Sequence, residues 1–507
     1  MSGKRVLRRV FLLFLTLMLL LTCLFGCGQT DEPQGETEIS PSSTDDGPIE
    51  LRVLTDETLW DGMNLQVKDL VKKFNRENEN ITVNLEILPI YAQERETRLE
   101  KLRAEILAGD GPDAYLMPTN NYLRLVGSNM VEDSYLIEPL FSDAEMTMHN
   151  GHFADISTYY DADDDLNKEG LITKVMDAGV IDDERYILPL RYNIPVLYAD
   201  TKRLAEFEVD QERLYSGNIM DLMDLAIETE DQLLAGGAVS VLAQRGLVLS
   251  LFSDAIDYEK GKLNLTQEEL VSFLTKYQQV MRVTKGDREF NYSVDVDRYI
   301  EYGQSLSSRR YPIKQGMLDE AITIISVSKA AGDDITMIPL RATDGSLVAH
   351  VTYYGAVGSS CEHPEVAYEF LRMFLLEDAQ WEYDRQIDKN HKRAHANFID
   401  DGWPVRAIGA VEYLEETCIR GLSLAYQRKE DTKLRADDVI NVDLTEEDVL
   451  DLLTVQIDEV RFRIPLEWDL RDLSSSVSIN GYYPSDVDIN EVADEMIYML
   501  ELHLAEG

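Results

Sequence analysis

Asp161, Asp163 and Asp165 alternate as the first three ligands of a helix–loop–helix calcium site do, presenting the oxygen donors a hard cation gathers. The pattern then breaks. Leu166 stands where a glycine must make the sharp turn, and Ile172 where a bidentate Glu must close the shell. The stretch therefore reads as a solvated acidic loop. His391 and His395 share a helical face at the spacing of two zinc ligands. Lys392 and Arg393 lie between them and no third ligand is evident, so no metal and no cofactor is expected. The sequence holds no glycine-rich phosphate loop, no Gly-x-Ser-x-Gly turn and no His-Glu-x-x-His pair. Acidic residues are too numerous for the two carboxylates of a glycosidase to be picked out. Cys361 and Cys418 fit either a disulfide outside the cell or two buried thiols.

What remains is chemistry of recognition. A sugar offers flat C–H faces and many hydroxyls, which call for aromatic platforms and fixed donors and acceptors. Such residues cluster just after two short β-branched or apolar runs. Thr55, Asp56, Glu57 and Trp60 come after the first; Thr119, Asn120, Asn121 and Tyr122 come after the third. Loops leaving the C-terminal ends of strands are where open α/β sheets bind ligands. Trp60 is either a lip platform or a cover for the next helix's apolar face, and Asn120-Asn121 suits turn chemistry as well as hydroxyl recognition.

The elements that must position these groups are legible from periodicity. Leu51–Leu54 is a short strand, and a helix comes next with Val67, Leu70, Val71 and Phe74 on one face. Ile81–Ile87 alternates as a second strand; a second helix carries Leu99, Leu102, Ile106 and Leu107 and stops at Gly109. After the Asp110–Asp113 turn, Ala114–Met117 is a third strand. This strand–helix–strand–helix–strand order predicts a parallel α/β sheet, with Asp113 structural at the start of its third strand. Further helices are expected at about 265–284, 364–380, 445–460 and 488–504, in mixed α/β fashion. Pro364 and Glu365 suit the first turn of one of them, and Val366, Ala367, Phe370, Leu371 and Phe374 form its core stripe.

The chain has 507 residues, 44% of them hydrophobic, enough for a substantial core and two or three domains. With 48 Lys and Arg against 94 Asp and Glu, its formal net charge is −46, which excludes the nucleic-acid backbone as a main partner. Four cysteines exclude a disulfide scaffold. Residues 1–26 carry Lys4, Arg5, Arg8 and Arg9, then an apolar run too short for a comfortable membrane span, as in a secretory signal. Leu24-Phe25-Gly26-Cys27 resembles the lipobox of bacterial lipoproteins, which implies lipidation of Cys27. Residues 27–49 read as a flexible acidic tether: between 28 and 48 Ile39 is the one bulky apolar residue. Two acyl chains suffice for stable anchoring.

Five pieces in order resemble the extracellular solute-binding proteins of ABC importers, in the large family dominated by sugar binders. They are Ala108–Ala114, Glu184–Leu190 with Val196–Asp200, Gly261–Thr266, His363–Leu371 and Gly402–Arg406. The resemblance implies a two-lobed, type II periplasmic-binding-protein-like fold, each lobe a mixed, mostly parallel sheet flanked by helices, joined by a multi-strand hinge. The implied lobes are 50–192 with 350–400, and 193–349 with 401–507. The chain would cross between them near 190–196, return near 346–352 and cross again near 398–404. Those crossings add Tyr192, Tyr353, Tyr354, Trp403 and Arg406 to the candidate ligand residues, one of the two neighbouring tyrosines facing the cleft.

The resemblance thus implies a monomeric, lipid-anchored, non-catalytic protein on the extracytoplasmic face of a bacterial membrane. It would capture a carbohydrate, an oligosaccharide by preference, close on it and deliver it to the transmembrane subunits of an ABC importer. Two other solutes or activities compete. A polyamine would be held by Asp56, Glu57 and the tyrosines, and a surface-anchored carbohydrate hydrolase would turn its ligand over. A sensor partner reporting ligand to a receptor is a further class.

Overall fold

A computed structural model describes residues 47–56, 61–89, 92–119, 139–205, 210–229, 251–252, 255–283, 313–317, 335–376, 402–406, 457–462, 478–479, 483–484 and 488–506. Residues 48–507 form one compact unit. Its first part obeys the sequence pattern closely: β1 (Ile49–Asp56), α1 (Asp61–Glu77), β2 (Ile81–Leu88), α2 (Ala92–Ala108) and β3 (Ala114–Pro118). β1 lies between β2 and β3 and is parallel to both. Leu51, Val53 and Leu54 are buried on both faces of β1, as a helix-covered parallel strand requires.

Val67, Val71 and Phe74 make the buried stripe of α1, and Asn78 closes the helix by donating its side-chain amide to the Phe74 carbonyl at 2.9 Å. In α2 the stripe runs through Leu99, Leu102 and Ile106 but leaves Leu107 82% exposed. Leu107 is turned a further 100° or so around the helix from Ile106, and the helix ends one residue later, so no neighbour covers it. Asp113 is structural: its carboxylate accepts from the Arg52 amide at 2.7 Å while its own amide donates to the Arg52 carbonyl at 2.8 Å, clamping the turn to β1.

Two short helices, α3 (Ala144–His149) and α4 (Ser157–Ala162), lead to β4 (Ile187–Asn193). After Ile194 the chain enters β5 (Pro195–Asp200), which belongs to a different sheet. That three-stranded antiparallel sheet places β5 between β6 (Ile313–Met317) and β7 (Ile335–Pro339). α5 (Ile219–Glu228), α6 (Gln267–Val283) and the C-terminal α8 (Ile489–Glu506) pack with it. The intervening β8 (Val348–Val357) returns to the first sheet, antiparallel to β3 and β4, and all ten of its residues are buried. α7 (Pro364–Arg372) then lays Ala367, Phe370 and Leu371 on the first core. β9 (Trp403–Pro404) pairs with β4, and β10 (Glu459–Phe462) with β8, completing seven strands in the order β9-β4-β8-β3-β1-β2, with β10 beside the N-terminal half of β8.

Two hydrophobic cores result. The first holds the seven-stranded sheet; the second holds Leu197, Ile219, Leu222, Phe273, Leu274, Ile338, Leu340, Met496 and Leu500. The main chain leaves the first sheet after Asn193 and enters β5, whose Val196 and Tyr198 still pack in the first core while Leu197 packs in the second, and it returns to the first core between Leu340 and Leu347. Two expectations change. Glu459–Phe462 is a strand where a helix was expected to reach 460: its edge of β8 needs a hydrogen-bonding partner, and pairing with Val348–Val351 overrides helix periodicity. Trp403, Val405 and Phe462 join the first core although 401–507 was assigned to the C-terminal lobe, while Val492, Ala493, Met496 and Leu500 join the second.

Candidate functional site

β1, β2, β3 and β4 all run the same way, so their C-terminal ends share one edge of the first sheet, and β8 begins at that edge. Buried polar side chains concentrate there: Thr55 and Asp56 on β1, Thr119 after β3, Arg191 to Asn193 on β4, and His350 and Thr352 on β8. Both passages between the cores adjoin the same edge, since β4 ends into the first and β8 starts from the second.

This polar belt is tightly tied. Asp56 receives two parallel hydrogen bonds from Arg95, Nη1 to Oδ1 at 2.7 Å and Nη2 to Oδ2 at 2.6 Å, with both side chains below 10% exposure. This fork fixes the carboxylate at the mouth of β1. Thr55 donates to the Leu116 carbonyl at 3.0 Å and lies 3.2 Å from the Tyr353 hydroxyl, which also donates to Leu116. Thr119 donates to the Val351 carbonyl at 2.6 Å, and its amide to that of Thr352 at 2.9 Å, holding the start of β8 against the end of β3. Burial pushes the Tyr353 and Tyr192 hydroxyls well above their ordinary range, so both stay protonated. The Tyr192 hydroxyl finds no hydrogen-bond partner among the described residues.

Gly402 shows how closely the approach to β9 is packed. Its φ is +120°, and a Cβ there would sit 2.3 Å from Thr352 Oγ1 and 2.8 Å from the Tyr192 carbonyl oxygen. Only glycine lets β9 approach β4 and β8 this closely.

Of the residues singled out from sequence, the structure gathers Asp56, Tyr192, Tyr353 and Trp403 on this edge, all of them buried in the state described. Tyr354 points the other way from Tyr353, as strand neighbours do. It lies in the aromatic core with Phe153 and Phe462 at centroid distances of 6.2 and 5.9 Å. Arg406 grips backbone instead of facing a cleft: it donates to the Leu375, Asn167 and Leu166 carbonyls at 2.9, 3.1 and 2.7 Å. Glu57, Trp60, Asn120, Asn121 and Tyr122 lie outside the described residues, as do Cys27, His391, His395 and Cys418. Cys361 has no disulfide partner among the described residues, and burial pushes its thiol up to about 12. Arg95 and His350 were not anticipated. His350 interrupts an apolar strand, a signal present in the sequence; Arg95 gives none, because its partner is 39 positions away.

Asp163, in the discounted calcium stretch, is instead the acceptor for Arg372 and for the Tyr368 hydroxyl. It borders a groove of about 980 Å³ between α1, α4 and α7, whose lining includes Ile81 at the N-terminal start of β2, the opposite end of the sheet from the polar edge.

No family model matches the chain, and no curated protein does. Solved structures match it by shape. A periplasmic oligogalacturonide-binding protein from Yersinia enterocolitica aligns over 90% of this chain and 99% of its own, with 14% identity and a TM-score of 0.51. A de novo designed cysteine esterase aligns over 91% of this chain and 99% of its own, with 15% identity and a TM-score of 0.51. The chain has the periplasmic-binding-protein-like fold, a mixed α/β architecture with helices flanking mixed sheets. At such identities the likeness is one of fold, and neither the ligand of the first nor the chemistry of the second passes to this chain with it.

Proposed function

We propose that this protein is a non-catalytic, extracytoplasmic solute-binding protein that takes a carbohydrate, by preference an oligosaccharide, between its two cores. The observation that carries the reading is the polar belt at the one sheet edge where both passages between the cores begin and end. Asp56, held by Arg95, is the fixed acceptor of that edge, and Trp60, Asn120, Asn121 and Tyr122 come shortly after β1 and β3 in the sequence. Tyr192, Tyr353 and Trp403 support the belt from the strands. Cores joined by a few strands rotate about them, and a ligand touching both favours the closed arrangement. An ABC importer is the proposed recipient, and a lipid on Cys27 the proposed anchor. The oligogalacturonide-binding neighbour shows that a fold of this kind can hold an oligosaccharide.

The test is a thermal-shift and calorimetric screen of the full chain in mild detergent against mono- and oligosaccharides, polyamines and a buffer control. A ligand that binds the folded state raises the melting temperature by mass action. A shift with an oligosaccharide recovered chemically intact is expected. A shift with polyamines alone would replace the ligand class, and cleavage of the sugar would replace the function.

A further inference from the structure

Asp143 stands just ahead of α3, whose Ala144 and Met148 belong to the first core. One carboxylate oxygen caps α3, accepting from the Glu145 and Met146 amides at 3.0 and 3.1 Å. The other oxygen leaves its own core. It accepts from the Tyr258 hydroxyl at 2.6 Å and lies 3.4 Å from His503 Nε2. Tyr258 packs on the second core, and His503 sits on α8, whose Met496 and Leu500 are part of it. Asp143 and His503 keep 1% and 7% of their side-chain exposure, so the contact is closed to solvent. His149, at the other end of α3, stacks on the Tyr258 ring at 6.2 Å and 9°. Glu145 reaches Arg461 of β10 at 3.7 Å, and Arg461 lies 3.4 Å from Glu459. β10 pairs with Val348–Val351, the strand by which the chain returns from the second core. Glu145 and Arg461 thus connect the start of α3 to the strand beside this return passage.

We infer that Asp143, Tyr258 and His503 form a polar latch between the two cores that holds their relative angle and so tunes how readily the cleft accepts ligand. Nothing in capping α3 requires Tyr258 or His503, because the cap uses only the other oxygen. A buried carboxylate shared between two bodies is directional, unlike apolar contact, and selects one arrangement among those a hinge allows. The link to ligand rests on the function proposed above; the effect on core separation does not.

The test places spin labels on unnatural amino acids at Leu107 and Tyr498, which are 82% and 62% exposed and lie on α2 and α8, leaving the native cysteines unchanged. Pulsed-EPR distances are compared for the full chain, Tyr258→Phe and Tyr258→Phe/His503→Gln. Tyr258→Phe keeps the ring and its stacking and deletes one hydroxyl; Asp143→Asn, which retains an acceptor for the cap, serves as a second route. Loss of a hydrogen bond to a charged acceptor shifts a two-state equilibrium by about tenfold. The distribution should broaden toward a second separation in every variant, and the apparent sugar Kd should change with it, rising or falling as the population of the binding-competent separation falls or rises. Distributions that coincide with the unaltered chain's in every variant would overturn the latch. An unaltered chain that binds no sugar overturns the proposed function and leaves the distance result standing on its own.

Discussion

Glu145 makes the pH dependence of this protein measurable at one position. Burial, reinforced by the neighbouring Asp143 and only partly opposed by Arg461 at 3.7 Å, raises its carboxyl from the ordinary 4.5 to about 7. Between those values the folded state keeps a proton that the unfolded state releases. Folding stability contributed by this group is therefore full below pH 4.5 and declines as pH rises toward 7, by about 1.4 kcal/mol per pH unit. The full span is ~3 kcal/mol; the side chain keeps 20% exposure, so solvent reduces the expected loss to roughly 1–3 kcal/mol. A glutamine at this position cannot ionise and escapes the loss. Urea unfolding of wild type and Glu145→Gln at pH 5, 6, 7 and 8 isolates the group, because the background from the other acidic residues is common to both. The Glu145→Gln variant should match wild type near pH 5 and exceed it by roughly 1–3 kcal/mol at pH 8. A difference that stays constant with pH, or grows toward acid, refutes the reasoning.

The polar edge gives three further expected outcomes. Arg95→Leu strands the Asp56 carboxylate and should cost ~3–5 kcal/mol by denaturant unfolding, while Asp56→Leu/Arg95→Leu recovers most of that loss; a double variant as unstable as the single would show that the pair is not the cause. Gly402→Ala combines a left-handed φ with a Cβ 2.3 Å from Thr352 Oγ1, and should lower stability by about 2–4 kcal/mol, read as a lower Tm. Tyr192→Phe removes a buried hydroxyl with no partner among the described residues. It should melt within about 1 kcal/mol of wild type or above it, and a loss beyond that would reveal a bond the hydroxyl makes.

The sequence by itself determined the elements whose buried faces repeat locally. β1, α1, β2, α2 and β3, the stripe of α7 from its Pro364 start, and the helices at 267–283 and 489–506 are all written in periods of 2 or 3.6. Asp56 and Tyr192 were legible as site candidates because they fall at strand ends. Only the tertiary structure decided what those groups touch. It paired Asp56 with Arg95, aimed Tyr354 into the aromatic core, spent Arg406 on three carbonyls, made 459–462 a strand and joined Asp143 to Tyr258 and His503. Periodicity encodes which face of an element is buried. It does not encode which distant segment covers that face, and a carboxylate, a guanidinium or an unpaired strand edge is committed by whichever partner the fold brings within about 3 Å.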